Sequence, residues 1–307
     1  MILSASRRTD IPCFYAEWLM NRLRAGFVLT RNPMNPRQLF RVPLSPQTTD
    51  CIVFWTKDAQ HMLPYLDELD AMDCRYYFQF TLTPYDNRIE RNLRAKSEIE
   101  STFRQLSTRL GRERVVWRYD PILLSGDITV DYHQKQFLRM CEKLAPYTDT
   151  VTVSFVDWYA KLRNAGIRPP EEGEMAELAG FIGETAAACG LSVTACCERD
   201  LSPYGIQKGS CIDRGRIEKI IGAPLDIRAD RNQRAGCGCC ESIDIGMYDS
   251  CANGCLYCYA TKQHAAAQKR AAAHDPQSEL LLGSIAAGET VIEKAVQSDK
   301  SPQLTLF

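Results

Sequence analysis

The chain has 307 residues, 45% hydrophobic and 24% charged, enough for one large α/β domain with a tail or for two small domains. Its 37 basic and 38 acidic side chains give a formal net charge of −1, which excludes a whole-chain field drawing it to nucleic acid or membrane and leaves room only for a local basic groove. No apolar run approaches a membrane span, and the start MILSASRRTDIP lacks the basic opening, long apolar core and cleavage site of a secretion signal, so a cytoplasmic location with reduced thiols and no membrane partner is expected.

In chain order the expected strands are MILSAS, GFVLTRN, DCIVFWTK, RYYFQFTLT, RVVWRYDP, TVTVSFVD and LSVTACC, each rich in β-branched and aromatic residues and ending in polar ones. Amphipathic helices are expected between them. FYAEWLMNRLRAG closes on Gly26, and SEIESTFRQLSTRLG opens on Ser97 with Glu100 three residues later, a capping-box pattern. VDYHQKQFLRMCEKLAPY and EEGEMAELAGFIGETAAACG follow. This alternation predicts an α/β fold, a full or partial (β/α) TIM-like barrel, with function at the C-terminal ends of its strands. Polar residues expected there are Arg7, Arg8, Thr9 and Asp10; Thr56 and Lys57; Thr81 and Thr83; Arg118 and Asp120; Ser154 and Asp157. Each type also serves as a helix cap or surface residue.

From 196 to 240 the chain turns loop-rich, with scattered Gly, Pro, Asp and Cys. ESIDIG then reads as one more short strand, followed by CANGCLYCYA. The expected organisation is a barrel over 1–265 with a Cys-rich insertion at 196–240, then a tail over 266–307 that begins helical and ends as a flexible polar linker. No internal repeat is present.

The 14 cysteines divide in two. Cys13, Cys51, Cys74, Cys141 and Cys189 stand alone and read as small buried hydrophobes. The other nine crowd between Cys196 and Cys258, which packing does not explain. Cys251-x3-Cys255-x2-Cys258 is a compact thiolate loop, unlike the separated Cys-x2-Cys pairs of zinc sites. Such a loop suits one face of a 4Fe-4S cubane and leaves one iron open, with Gly254 allowing the backbone to turn close to the sulfides. A zinc knuckle and half of a two-cluster ferredoxin site are the alternatives. In the insertion, Cys196, Cys211, Cys237 and Cys239 are the favoured ligands of a second iron–sulfur cluster or a zinc ion, with Cys197 and Cys240 pointing away.

The Cys-x3-Cys-x2-Cys loop with Tyr257 before its last Cys resembles the signature of radical S-adenosylmethionine (SAM) enzymes. GCLYCYA is similar to the spore photoproduct lyase branch, and the whole chain resembles a bacterial domain-of-unknown-function family with the same Cys-rich end. The motif normally follows the first barrel strand, whereas here it follows the last, so the resemblance implies a circular permutation. SRRTDIP, IVFWTKD and WRYDPILL resemble later lyase-like segments in the correct cyclic order. The resemblance implies that the open iron binds SAM, that one-electron reduction, by a donor such as flavodoxin or ferredoxin, cleaves SAM to a 5′-deoxyadenosyl radical, and that the substrate is nucleic acid, as in DNA repair. It also implies SAM contacts: Lys57 to the carboxylate, Thr9 and Asp10 to the amino or ribose groups, and Arg118 to SAM or an anionic substrate. No hydrogen-transfer residue is identified, since no spacing favours Cys141 or a tyrosine such as Tyr119 for that role. Finally, QLTLF resembles the bacterial sliding-clamp-binding pentapeptide, with Gln303, Leu304, Leu306 and Phe307 in its key places. Three readings follow: a radical SAM enzyme on nucleic acid, one on a small molecule, peptide or RNA, and a non-catalytic metal-binding interaction protein.

Overall fold

The structure, a computed structural model, describes residues 1–32, 34, 35 and 37–301. Its strands are β1 (Ile2–Ala5), β2 (Phe27–Arg31), β3 (Gln38–Pro43), β4 (Cys51–Thr56), β5 (Tyr76–Thr81), β6 (Val115–Ile122), β7 (Thr150–Phe155), β8 (Ser192–Ala195), β9 (Gln207–Lys208), β10 (Ile243–Asp244) and β11 (Thr290–Glu293). Eight of them form one sheet in the order β10-β1-β4-β5-β6-β7-β8-β9. Every neighbouring pair is parallel. The order starts at β10 and stops at β9, so the wall is an open, partial TIM-like barrel. The last strand of the wall lies beside the first, as the sequence reading requires: Leu3 pairs with Ile243 and Ser4 with Asp244.

The near-continuous apolar strands are those of a parallel sheet covered on both faces. Leu3, Ile52, Phe54, Phe78, Trp117 and Val151 point to one side, into the main core. There they meet the helices Ala16–Ala25, Lys96–Leu110, Val130–Leu144 and Glu172–Ala188. Ile2, Val53, Tyr77 and Val116 point to the other side, against Cys211, Ile212, Ile217, Cys239 and Cys240. The Cys-rich insertion therefore fills the inner face of the wall. Among the described residues no helix is long and apolar enough to cross a membrane.

Three local expectations differ from what is observed. GFVLTRN is a strand, but it pairs antiparallel with β3 in a separate three-stranded sheet, β11-β3-β2. Strand composition does not encode which sheet a strand joins. The helix expected to open on Ser97 starts at Lys96, and the Glu98 carboxylate, rather than Glu100, accepts the Ala95 N–H at 3.1 Å. After the helix His264–Ala272, the segment expected to be a linker packs onto the body. Trp18 donates Nε1–H to the Ser278 carbonyl at 2.9 Å, Leu280 and Leu281 are buried, and β11 pairs with β3. Backbone pairing holds β11 with little apolar burial, which is why composition alone reads it as a linker. Gln303–Phe307 lies outside the described residues.

Candidate functional site

Parallel strands deliver their C-terminal ends to one rim, and here the rim encloses a cavity of about 510 Å³. Thr9, Asp10, Lys57, Thr81, Arg118, Asp120, Ser154 and Asp157 line it, as do Cys251, Cys255 and Cys258. Cys196, Cys197, Cys211, Cys237 and Cys239 line it too. The two cysteine groups, remote in sequence, thus share one chamber. A smaller cavity of about 270 Å³, around Thr150, Thr194, Lys208 and Arg216, contains no cysteine. Thr83 is not on the main lining; its hydroxyl donates to Glu90 at 2.8 Å.

The 251–258 loop is held by the ends of the first strands. Asp10 Oδ2 accepts the Lys57 N–H at 2.7 Å and the Asn253 side-chain amide at 3.0 Å, while Oδ1 accepts the Cys13 N–H at 3.1 Å. Asn92 donates its backbone N–H to the Asn253 carbonyl at 3.1 Å and its side-chain amide to the Ala252 carbonyl at 2.7 Å. At Gly254, φ is +72°, and a Cβ there would stand 2.8 Å from Asn92 Nδ2. Both the turn and the close approach require glycine.

Beneath the loop lies a buried ionic cluster. Glu90 forms a backbone bridge with Cys255, and its carboxylate accepts from Lys57 Nζ at 2.7 Å, from Thr83, from Lys96 Nζ and from the Tyr257 hydroxyl. Burial alone would raise the Glu90 pKa, but the charges of Lys57 and Lys96 outweigh it and hold the carboxyl at about 2. Burial also pushes the Cys251 thiol up to about 12 and Cys255 well above the usual thiol range. Binding a metal there must therefore displace protons. Cys251, Cys255 and Cys258 are not among the described sulfur groups that lie within 4.8 Å of one another. A polynuclear cluster binds each thiolate on a different metal atom, so its ligand sulfurs stand further apart than those around one ion.

On the opposite wall, Cys196, Cys211 and Cys239 do lie within 4.8 Å of one another, and so do Cys196, Cys197 and Cys237. Three of the four sequence-favoured ligands come together. Cys237 joins the second group instead, and Cys197, expected to point away, belongs to it. Cys240 belongs to neither sulfur group and is not on the cavity lining. Arg118 stands on this side: Nη1 donates to Cys211 Sγ at 3.0 Å and to Gln79 at 3.2 Å, and Nε donates to Asp120 at 3.0 Å. Two buried polar atoms of cavity-lining residues, Thr9 Oγ1 and Arg7 Nη2, have no hydrogen-bond partner among the described residues. Tyr119 and Cys141 are in the main core, away from the lining. The Tyr119 hydroxyl meets His133 Nδ1 at 2.7 Å.

A family model described as Domain of unknown function (DUF1848) matches residues 2–260. The chain belongs to this family. No curated protein and no solved structure matches it. The DUF1848 match takes in the whole eight-stranded wall and both cysteine groups, and ends before the helix His264–Ala272.

Sequence reasoning about this DUF1848 chain missed Glu90 and Asn253, which hold the loop. A carboxylate in the turn TLTPYDNRIERN carries no periodic signal, and only its four donors, drawn from separate segments, reveal it. Asp10, by contrast, was marked by its place after β1. Its burial raises the carboxyl to about 6, opposed by the N–H donors around it. Asp10→Asn would turn an amide N–H₂ toward donors or lose one acceptor. It is expected to destabilise the protein by roughly 1–3 kcal/mol and to lower metal occupancy of the 251–258 loop, readable by urea titration and metal analysis. Unchanged occupancy would show that Asp10 does not position the loop.

Proposed function

We propose that this protein is a radical SAM iron–sulfur enzyme, with a 4Fe-4S cluster on Cys251, Cys255 and Cys258. The observation that carries the reading is the placement of these three thiols at the C-terminal rim of a (β/α) wall, on the same cavity as Lys57, Thr9 and Asp10. The site suits the group: the donors are all sulfur, Gly254 leaves the backbone free to turn, and lining residue Thr9 has a buried hydroxyl with no partner among the described residues. Bound there, the cluster would supply one-electron reductive cleavage of SAM to methionine and a 5′-deoxyadenosyl radical, with flavodoxin or ferredoxin as donor. Lys57 has three N–H donors and its bond to Glu90 uses one, leaving capacity for the SAM carboxylate. Asp10 keeps the loop in register with β4, and Thr9 offers a hydroxyl to SAM. The pairing of β10 with β1 supports reading the late motif as that of a permuted barrel.

Nucleic acid is the favoured substrate. Trp158, Tyr248 and Tyr259, each about half-exposed, are the exposed aromatic side chains among the described residues. Tyr259 lines the cavity, Trp158 sits between lining residues Asp157 and Tyr159, and lining residue Arg8 lies 5.3 Å from the Tyr248 ring centre. Aromatic faces beside guanidinium groups suit stacking of unpaired bases.

Anaerobic reconstitution with iron and sulfide, followed by dithionite and SAM, tests the reading. A brown protein that forms 5′-deoxyadenosine is expected; a colourless protein holding only zinc would overturn it. A separate expectation concerns Gln303–Phe307. Deleting it should abolish binding to a sliding clamp, expected at about micromolar affinity, and leave SAM cleavage intact. An intact chain that shows no binding to its own organism's clamp in titration would remove that partner.

A further inference from the structure

The two cysteine groups differ in spacing. Tetrahedral thiolates around one zinc ion, at about 2.3 Å each, stand about 3.8 Å apart. Cys196, Cys211 and Cys239, all within 4.8 Å of one another, approach that single-ion geometry, whereas the 251–258 thiols do not. Neither Cys197 nor Cys237 completes a tetrahedron, since neither joins Cys196, Cys211 and Cys239 in one group. All three sulfurs line the cavity.

The triad is built rather than accidental. The Cys211 carbonyl accepts from the Tyr77 hydroxyl at 2.6 Å and from the Gln79 amide at 2.8 Å, so β5 anchors this residue from beneath. The Ile212 N–H points at Cys239 Sγ at 3.4 Å, and the Cys240 N–H returns to the Ile212 carbonyl at 3.1 Å, lacing the two ligand loops together. A Cβ on Gly209 would stand 2.5 Å from Thr194 Cβ, and one on Gly238 would stand 2.6 Å from Ser210 Oγ. Gly209 lets its loop close on β8, and Gly238 lets the second loop close on the first. The Arg118 guanidinium touches Cys211, and Arg7, with its unpartnered Nη2, interacts electrostatically with Cys239 and Cys211. Three thiolates around a divalent ion carry a net negative charge, and the guanidiniums of Arg118 and Arg7, which also pair with Asp120 and Asp230, stand beside them.

We propose that Cys196, Cys211 and Cys239 hold one thiophilic divalent ion of zinc type, and that its fourth coordination position faces the cavity and takes an anionic or soft donor atom of the substrate. Structural zinc sites are closed by four protein ligands, whereas sites that bind an exogenous group keep a position open. The inference rests on the reading of this cavity as the substrate chamber. It places the substrate between a metal on one wall and the Cys251 loop on the other.

Cobalt(II) titration of the Cys251/Cys255/Cys258→Ala chain tests it without SAM, so it succeeds or fails independently of SAM cleavage. One cobalt per chain with thiolate-to-metal charge-transfer absorption is expected. Adding azide or ethanethiol should shift its ligand-field bands. Cys211→Ser or Cys239→Ser should weaken cobalt binding at least about tenfold, a factor that even outer-shell changes reach, while Cys240→Ser should not. Wild-type protein, measured with and without Cys211→Ser, isolates the same bands by difference if the triple variant misfolds. No thiolate–cobalt band, bands that ignore both probes, or acid-labile sulfide at this site after iron reconstitution would each overturn the proposal.

Discussion

Replacing Cys251, Cys255 and Cys258 together with Ala is expected to reduce 5′-deoxyadenosine formation to the protein-free background. Of all changes to the chain, this one carries the largest expected effect on activity. The three thiols are the only sulfur ligands that the 251–258 loop offers, and the cysteines of the opposite wall are anchored by β5 and β8. The fold should survive. The loop keeps its anchors at Asp10, Asn92 and Ile89, none of which involves a sulfur. Truncating three cysteines, two of them only partly buried, should cost about 1 kcal/mol each at most. Urea unfolding close to wild type together with lost turnover is the expected pair of results. Turnover that persists in the folded variant would move the chemistry away from this loop.

Glu90→Ala should have the largest effect on stability. The carboxylate is buried and gathers two ammonium groups, Lys57 and Lys96, along with two hydroxyls. Its removal leaves like charges facing each other with no counter-ion, a change that typically costs 3–5 kcal/mol, here taken as about that size. With a urea slope of about 1–3 kcal/mol per molar, the midpoint should fall by roughly 1 M or more. Glu90→Gln keeps the shape and should recover only a part. The pH dependence follows from the depressed carboxyl. Its contribution is complete above the ordinary glutamate range near 4.5 and is lost as pH falls through that range toward about 2. The variant should therefore lose less stability than wild type between pH 5 and 3. Parallel acid-unfolding curves for the two proteins would show that Glu90 does not carry the charge assigned to it.

Much of the wall could be read in advance because burial on both faces leaves a strong mark: IVFWT, YYFQFT and VTVSF have few polar interruptions, and turn residues bound them. The same logic placed Asp10 and Lys57 just past strand ends, whereas Arg118 lies inside β6. What escaped notice depends on geometry finer than composition. β9 is two residues long, too short for any period to register. In the Cys196–Cys197 doublet, ordinary alternation would send one sulfur away. Instead Cys197 adopts a left-handed φ of 59°, and the two sulfurs end 3.8 Å apart on one side. Arg118, expected to contact SAM or an anionic substrate, turns its guanidinium to Cys211, where Asp120 and Gln79 also hold it.

The pairing of β10 with β1 also sets an order of events at the ribosome. Ser4 and Ser6 donate to Asp244 at 2.7 and 2.6 Å across 240 and 238 residues of chain. At roughly 5–20 residues per second, translation takes on the order of 12–50 seconds to cross that span. Throughout that interval the outer edge of β1 lacks its partner, an exposed strand edge of the kind nascent chains must shield from one another. The chamber wall is complete before its thiol loop exists. The Cys251, Cys255 and Cys258 thiols are thus among the last parts of the chamber to be made, and a chain terminated early would lack this loop and the side of the pocket that it forms.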